Sequence, residues 1–381
     1  MLKDRNIYLD NASTTPLNKI VLEKMLPYLT TNYGNANSLH TIGRNAVNGL
    51  DEARSIIAKL LNADFNEIYF TSGGTESDNW ALRGMASVRG DKNKLVLSSI
   101  EHSAMLIAAE DLEKQGVEVI KVSPNKDGIV DVNEYKKVID NNTFLTSLML
   151  ANNEIGTIQK VKEVAEIAHQ NNSKFFTDAV QAVGAFPIDV KDLNVDMLSF
   201  SAHKFGGPKG VGCLYIKNGV NLGGIITGGH QERAKRGGTS NVAGAIGMAY
   251  ALKIAREQME GDSKYILNLR NTFIDRVLSE IDCAKLNGDD KNRLPNNANI
   301  TFYGIDGEAL LCQLDINGIY ASLGAACSAG SVSPSHVLTE IGLSGKDAKS
   351  SIRFTFGKDN TLDDVNYVVE TLKQLLAKLK K

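Results

Sequence analysis

The chain is poor in several things at once. Its 381 residues include one tryptophan, four cysteines and seven prolines. The cysteines, Cys213, Cys283, Cys312 and Cys327, are scattered, and no two of them form a C-x-x-C pair. That spacing argues against a structural zinc site and against a disulfide framework, so a cysteine that matters here matters singly, as a nucleophile. An excess of one charge is missing too: 42 Lys+Arg against 44 Asp+Glu leave a net charge of −2. Without a basic surplus, neither nucleic acid nor an anionic membrane surface is expected as a direct partner. No apolar run reaches the roughly 18 residues that cross a bilayer. The opening "MLKDRNIYLDNASTTP" lacks the apolar stretch of a secretory signal, which makes a cytoplasmic location the expectation. Internal repeats, low-complexity tracts and Pro/Ser-rich linkers are absent as well.

What is present is an ordinary globular composition, 43% hydrophobic and 23% charged, on a chain too long for one small core. Short β-rich runs alternate with helical ones. "EIYFTSGGTESDNWALRGM" passes from strand through glycines into a helix, and "KLVLSSIEHSAMLIAAEDLEKQG" followed by "VEVIKVS" reads strand, helix, strand. "TFLTSLMLANNEIGTI", "KFFTDAVQAVG" and "DMLSFSAHKFGG" are further strands that end in polar residues. This alternation predicts an α/β fold with a large, doubly wound, mostly parallel sheet. The large domain is expected over 15–255. Beyond Ala255 the texture changes to one long amphipathic helix, short strands and a basic C-terminal helix. A smaller α+β domain is expected from 256–381, completed by residues 1–14.

In such a sheet ligands sit beyond the carboxyl ends of the strands, and that is where the polar clusters fall. "TSGGTES" (71–77) offers the backbone N–H groups of a helix start at Gly74, with Thr75 beside them, as a phosphate cradle. A tight turn with an N-cap accounts for the same residues. His102 in "SSIEHSAM" is a ring at a strand end, or a capping residue. Asp178 in "FFTDAVQA" ends an apolar strand, where an ionised carboxylate needs a cationic partner. It would equally serve as an N-cap, and Gln181 follows three residues later. In "DMLSFSAHKFGGPKGVG" (196–212), Lys204 stands between His203 and glycines after a strand, with Ser201 close by. A lysine that carries a carbonyl cofactor belongs at such a place. Pyridoxal 5'-phosphate (PLP) needs this lysine, a phosphate cradle, a carboxylate for its ring nitrogen and a ring over its face. Lys204, Thr75, Asp178 and His102 supply one each.

Two further residues stand out. Cys327 lies among small residues in "ASLGAACSAGSVSPSHVL" (321–338), which suits an accessible nucleophile. Cys213 and Cys312 fall in apolar strand or helix patterns and are expected to be buried, while Cys283 has no evident role. Arg353 in "SIRFTFG" is an arginine inside a strand, a carboxylate clamp or a structural ion pair.

With these motifs together, the chain resembles the cysteine desulfurases of the NifS/IscS kind, PLP-dependent enzymes of aminotransferase class V. The likeness runs from "YLDNASTTP" through "TSGGTESDN", "ANNEIGTIQ", "TDAVQAVG", "SAHKFGGPKGVG" and "GGHQERAKRGGTSN" to "GAACSAGSVSPSHVL" and "SIRFTFG". It implies the type I fold of PLP-dependent transferases. It also implies that Lys204 carries PLP, that His102 stacks on the ring, that Asp178 pairs the ring nitrogen and that Gln181 meets the ring hydroxyl. Gly74, Thr75, Ser201 and His203 would hold the phosphate, and Asn153, beside the cofactor, would join Arg353 on the substrate carboxylate. Thr239 resembles the residue that reaches the phosphate of a neighbouring subunit, which implies a homodimer. Cys327 would take sulfur from L-cysteine, leaving L-alanine and a persulfide destined for an acceptor protein, an iron–sulfur scaffold or a tRNA-thiolation enzyme. A class V aminotransferase or a selenocysteine lyase would share most of these residues.

Overall fold

The computed structural model describes residues 5–323 and 333–379, so Cys327 lies outside the described residues. A two-residue strand, β1 (Ile7–Tyr8), begins the described chain and is taken up near its far end. The large sheet follows, built from β2 (Ile68–Thr71), β3 (Lys94–Ser98), β4 (Glu118–Val122), β5 (Thr143–Ser147), β6 (Lys174–Asp178), β7 (Met197–Ser201) and β8 (Gly212–Ile216). Their order across the sheet is β2-β8-β7-β6-β5-β3-β4. The run from β7 to β4 is parallel throughout, and only β8 runs antiparallel to its two neighbours.

Successive strand residues point to opposite faces, and here both faces are covered. Phe175 and Leu198 enter one buried cluster with Ile57 and Val164 from helices on that side. Their neighbours Phe176 and Met197 enter another, with Trp80 and Met105 from helices on the opposite side. Trp80 is fully buried, and its indole N–H donates to the Gly223 carbonyl at 2.8 Å, which satisfies the one polar atom of that side chain. The strands are therefore apolar almost to their ends, and the chemistry-bearing residues collect where β2, β3, β6 and β7 stop.

The rest of the chain forms a second, antiparallel sheet. β9 (Ala284–Leu286), β10 (Asn297–Phe302), β12 (Ser322–Leu323) and β13 (Ser351–Thr355) stand in the order β12-β13-β10-β9, while β11 (Ile319–Tyr320) pairs in parallel with β1. A third buried cluster sits on it and takes Ile7 and Leu9 from the start of the chain together with Phe273, Ile300, Phe354 and Leu372. The expected long helix is longer than its amphipathic pattern: it spans Val242–Glu280, 39 residues without a break, and the boundary expected at 255/256 falls inside it. Its first half is an Ala/Gly-rich stretch buried on most sides, which shows no apolar stripe and so hides its helical period. Ala245, Met248 and Leu252 pack with the large sheet's cluster, whereas Leu269, Phe273 and Val277 pack with the third. Among the described residues no helix is long and apolar enough to cross a membrane.

Candidate active site

The helix Gly74–Ser87 begins directly after β2, and Gly73 before it supplies no side-chain cap. The first N–H groups of a helix have no acceptor within it, so this start is a site for an anion. The approach is kept open by small residues. A Cβ on Gly212 in the adjacent β8 would lie 2.6 Å from the Gly73 backbone, and a Cβ on Gly73 would stand 3.9 Å from the Ser201 hydroxyl. Ser201, buried at the end of β7, thus faces the loop that carries Gly74 and Thr75, while Thr75 itself is exposed. His203 turns to the N-terminal segment, with its Nδ1 3.2 Å from the Thr14 hydroxyl. Burial, then the charges of Lys204 and Lys209, push its pKa down to about 4.

Lys204 ends a single turn, Ala202–Lys204, that follows β7. Its ε-ammonium donates to the carbonyls of Ala12 at 2.5 Å and Ser13 at 2.9 Å, and Gln181 Nε2 donates to the same Ala12 carbonyl at 2.9 Å. Lysine and glutamine from the large sheet are thereby gathered on one short segment from the start of the chain. Asp178, at the end of β6, is buried, and its Oδ1 accepts from the Val180 N–H at 2.8 Å. Burial raises its pKa, and the positive charges of His102 and Lys204 act against that rise. His102 caps the helix Ser103–Lys114 by accepting from the Ala104 N–H at 3.2 Å. The capping role is thus real for His102, whereas among the described residues no helix directly follows Asp178 and its bond to Val180 belongs to a turn; the two residues sit within electrostatic reach of each other.

Two buried acids beside these residues were missed by the sequence reading. Asp78 is 1% exposed and accepts from the Ser199 hydroxyl at 2.6 Å. Glu101 is fully buried; one oxygen accepts from the Met149 N–H at 2.8 Å and from the Ser98 hydroxyl at 3.2 Å. Burial, then the charge of Asp178, raises both, Asp78 well above its ordinary value and Glu101 to about 8. Of the three acids, Asp178 is the one on which cations, His102 and Lys204, act. Nothing in "ESDN" or "IEHS" marks these acids as buried, because only the packing of neighbouring strands encloses them.

Glu101 carries a testable consequence. Its folded pKa of about 8 exceeds the ordinary 4.5, so the folded state holds an extra proton between those values, and stability falls as pH rises through that window. Glu101→Gln imitates the protonated acid, and its melting temperature is expected to decline less than the wild type's between about pH 5 and 8. Parallel pH–melting curves for the two proteins would contradict the assignment.

Arg353 on β13 is 2% exposed. It donates through Nη1 to the Asn153 carbonyl at 2.8 Å, and through Nη2 to Asp10 Oδ1 at 2.9 Å and the Ser13 hydroxyl at 2.8 Å. The contact to Asn153 is to its backbone, and its side chain is half-buried in a turn. Asn152 holds that turn by accepting from the N–H groups of Glu154 and Ile155 at 2.8 and 3.0 Å. Thr239 is exposed, on a loop pinned to the large sheet by Glu232. The Glu232 carboxylate takes two bonds from Arg54 at 2.9 and 3.0 Å and one from the Phe70 N–H at 3.0 Å. Those bonds hold Glu232, Arg233 and Ala234 at φ 43°, 57° and 62°, left-handed backbone that costs roughly 1–2 kcal/mol per residue.

The cysteines divide differently from expectation. Cys213 is buried in β8, and burial raises its thiol pKa. Cys312 is exposed, contrary to the burial its apolar surroundings suggested. The helix Gly307–Ile316 buries Gly307, Leu310 and Leu314, and a residue two positions past Leu310 faces away from that stripe.

The sequence matches the family described as Aminotransferase class-V over residues 7–368. The chain belongs to that family. It is 46% identical over 376 residues to the cysteine desulfurase IscS of Clostridium botulinum, covering 98% of this chain and 95% of that one. Among solved structures it is similar to a NifS-like protein, with a TM-score of 0.92, 37% identity and coverage of 98% and 100% of the two chains. It is also similar to SspA in complex with cysteine, with a TM-score of 0.82, 34% identity and coverage of 93% and 100%. The class V chain is a PLP-dependent enzyme with the type I fold. The site fits that cofactor. A cradle that Cβ atoms would fill lies at the helix start, and a buried carboxylate stands under the influence of Lys204 and His102.

Proposed function

We propose that this class V enzyme is a cysteine desulfurase, which converts L-cysteine to L-alanine and leaves the sulfur as a persulfide on Cys327. The observation that carries the reading is the gathering of Lys204, Gln181 and Arg353 on residues 10–13, beside the buried Asp178. That arrangement offers an amine, an anion for a ring nitrogen and a cation for a carboxylate around one short segment of chain. Gly74, Thr75, Ser201 and His203 would hold the PLP phosphate, Gln181 the ring hydroxyl, and His102 the ring face. Bound PLP supplies an electron sink that makes the Cα–H of an amino acid acidic.

The protein's own groups do the rest. Asp178 keeps a proton on the ring nitrogen, because a buried anion there is stabilised by the adjacent cation. Arg353, with Asn153, fixes the substrate carboxylate and so aims Cα at Lys204, whose amine moves the proton. The Cys327 thiolate forms an S–S bond to the substrate sulfur as the C–S bond breaks, and the three-carbon remainder leaves as alanine. The persulfide then passes to an acceptor protein, an iron–sulfur scaffold or a tRNA-thiolation enzyme.

A homodimer completes the reading, with Thr239 of each copy reaching the phosphate of the other. It is supported by an exposed apolar surface: Ile20, Leu22, Leu26 and Leu29 on the helix Lys19–Thr30, then Leu39 at 91% exposure and Ile42. The domain division at 15–255 and at 1–14 with 256–381 is supported by the buried cluster that joins Ile7 and Leu9 to Phe273, Ile300 and Phe354; the helix Val242–Glu280 crosses the boundary, and Leu294, Val337, Leu338, Ile341 and Ala348 pack with the large sheet's cluster. A cytoplasmic location fits a desulfurase that serves such acceptors.

The test is direct. The purified protein should be yellow, and L-cysteine should yield equal amounts of alanine and sulfide in the presence of reductant. A keto acid in place of alanine would mark an aminotransferase, and a large preference for selenocysteine would mark a lyase. Light scattering should report a dimer; an active monomer at micromolar concentration would remove Thr239 from the site.

A further inference from the structure

Asp10 and Arg353 are 343 residues apart in the chain and meet at 2.9 Å, in a pocket where the arginine side chain is 2% and the aspartate 20% exposed. The Ser13 hydroxyl closes a ring between them, donating to Asp10 Oδ1 at 2.8 Å and accepting from Arg353 Nη2 at 2.8 Å. Arg353 Nη1 is engaged by the Asn153 carbonyl, while Nε is buried with no hydrogen-bond partner among the described residues. The segment that carries Asp10 and Ser13 also presents the carbonyls that receive Lys204. The ion pair therefore borders the reacting centre, and it holds a guanidinium that still has donor capacity to spare.

We propose that Asp10 is a built-in counter-ion with which the substrate carboxylate must share Arg353, so that this aspartate sets how tightly the site binds carboxylates. The inference rests on the reading of Arg353 as the substrate clamp. A guanidinium buried to this degree needs an anion at all times, and Asp10 supplies one before any substrate arrives. An incoming carboxylate then meets a cation already neutralised and a like charge close behind it. Both effects weaken its binding. The arrangement keeps the arginine fixed at low substrate and prevents the site from being held by any simple organic acid. Specificity then comes from the amino and thiol groups rather than from the carboxylate alone.

The experiment uses the holoenzyme. Asp10→Asn removes the charge and keeps the shape. Its KM for L-cysteine is expected to fall about tenfold, with kcat changing much less, because an interaction with a nearby unit charge is lost from the competition. The same variant should show a propionate-induced rise in melting temperature at about tenfold lower propionate than the wild type, a readout independent of turnover. Asp10→Glu should restore both values. Should Asp10→Asn fail to fold, Ser13→Ala loosens the same carboxylate and should shift KM in the same direction by a smaller factor. An unchanged or raised KM in the folded Asp10→Asn protein overturns the proposal. Arg353→Ala separates the two layers. If it raises KM steeply while Asp10→Asn does not lower it, only the counter-ion falls; if it leaves KM unchanged, the clamp and the counter-ion fall together.

Discussion

Replacing Lys204 by alanine is expected to abolish covalent attachment of PLP and to reduce turnover by at least ~10³-fold, on the scale of other covalent groups that act as part of a unit. The cradle at Gly74, Thr75 and Ser201 is untouched in this variant, so PLP should still bind by its phosphate and be lost on gel filtration. Borohydride treatment of the wild type should fix the cofactor to the peptide that contains Lys204. The same treatment of Lys204→Ala should leave no labelled peptide. The size of the effect follows from position. Lys204 ends the turn that leaves β7, and its amine is held by the Ala12 and Ser13 carbonyls beside Asp178. A labelled peptide that persists in the variant would move the cofactor to another lysine and overturn the site.

The second large effect concerns Cys327 and separates a desulfurase from an aminotransferase. Cys327→Ala should bind PLP and cysteine normally, because none of the residues proposed to hold them is altered. It should nevertheless lose alanine and sulfide production by at least ~10³-fold, since no thiolate attacks the substrate sulfur. In the wild type, cysteine without reductant should leave one added sulfur on the peptide that contains Cys327, visible by mass spectrometry. Cys312→Ala should cost nothing measurable, as that residue is exposed. Cys213→Ala should cost stability through lost packing in β8 and little activity. A Cys327→Ala protein that keeps most of its alanine production would make this cysteine a bystander and favour the aminotransferase reading.

Much of the site was legible because a parallel sheet covered on both faces leaves few places for polar chemistry. Lys204, Asp178, His102 and Ser201 each follow a run of apolar residues long enough to be a strand. A polar group at such a point lies at the carboxyl edge, where ligands bind. The two buried acids were not legible, since Asp78 lies on a helix and Glu101 in a turn, and only the packing of the neighbouring strands encloses them. Cys312 was misplaced because an apolar neighbourhood in sequence does not say which side of a helix a residue faces.

The sequence by itself determined the alternation of strands and helices, the strand-end positions of the lysine, the aspartate and the glycine loop, and the family they compose. These are matters of local period and of residue types at short spacing, which the chain carries in any one window. Tertiary structure alone decided that the residues from Asp10 to Ser13 lie between Lys204 and Arg353, about 190 and 340 positions away. It also decided that Arg353 already has an anion at its side. Such meetings arise from β1 pairing with β11 and from the bridge between Asp10 and Thr355, which tie the first residues to the last sheet. Long-range pairing of this sort is fixed by how whole layers pack, and no local pattern records it.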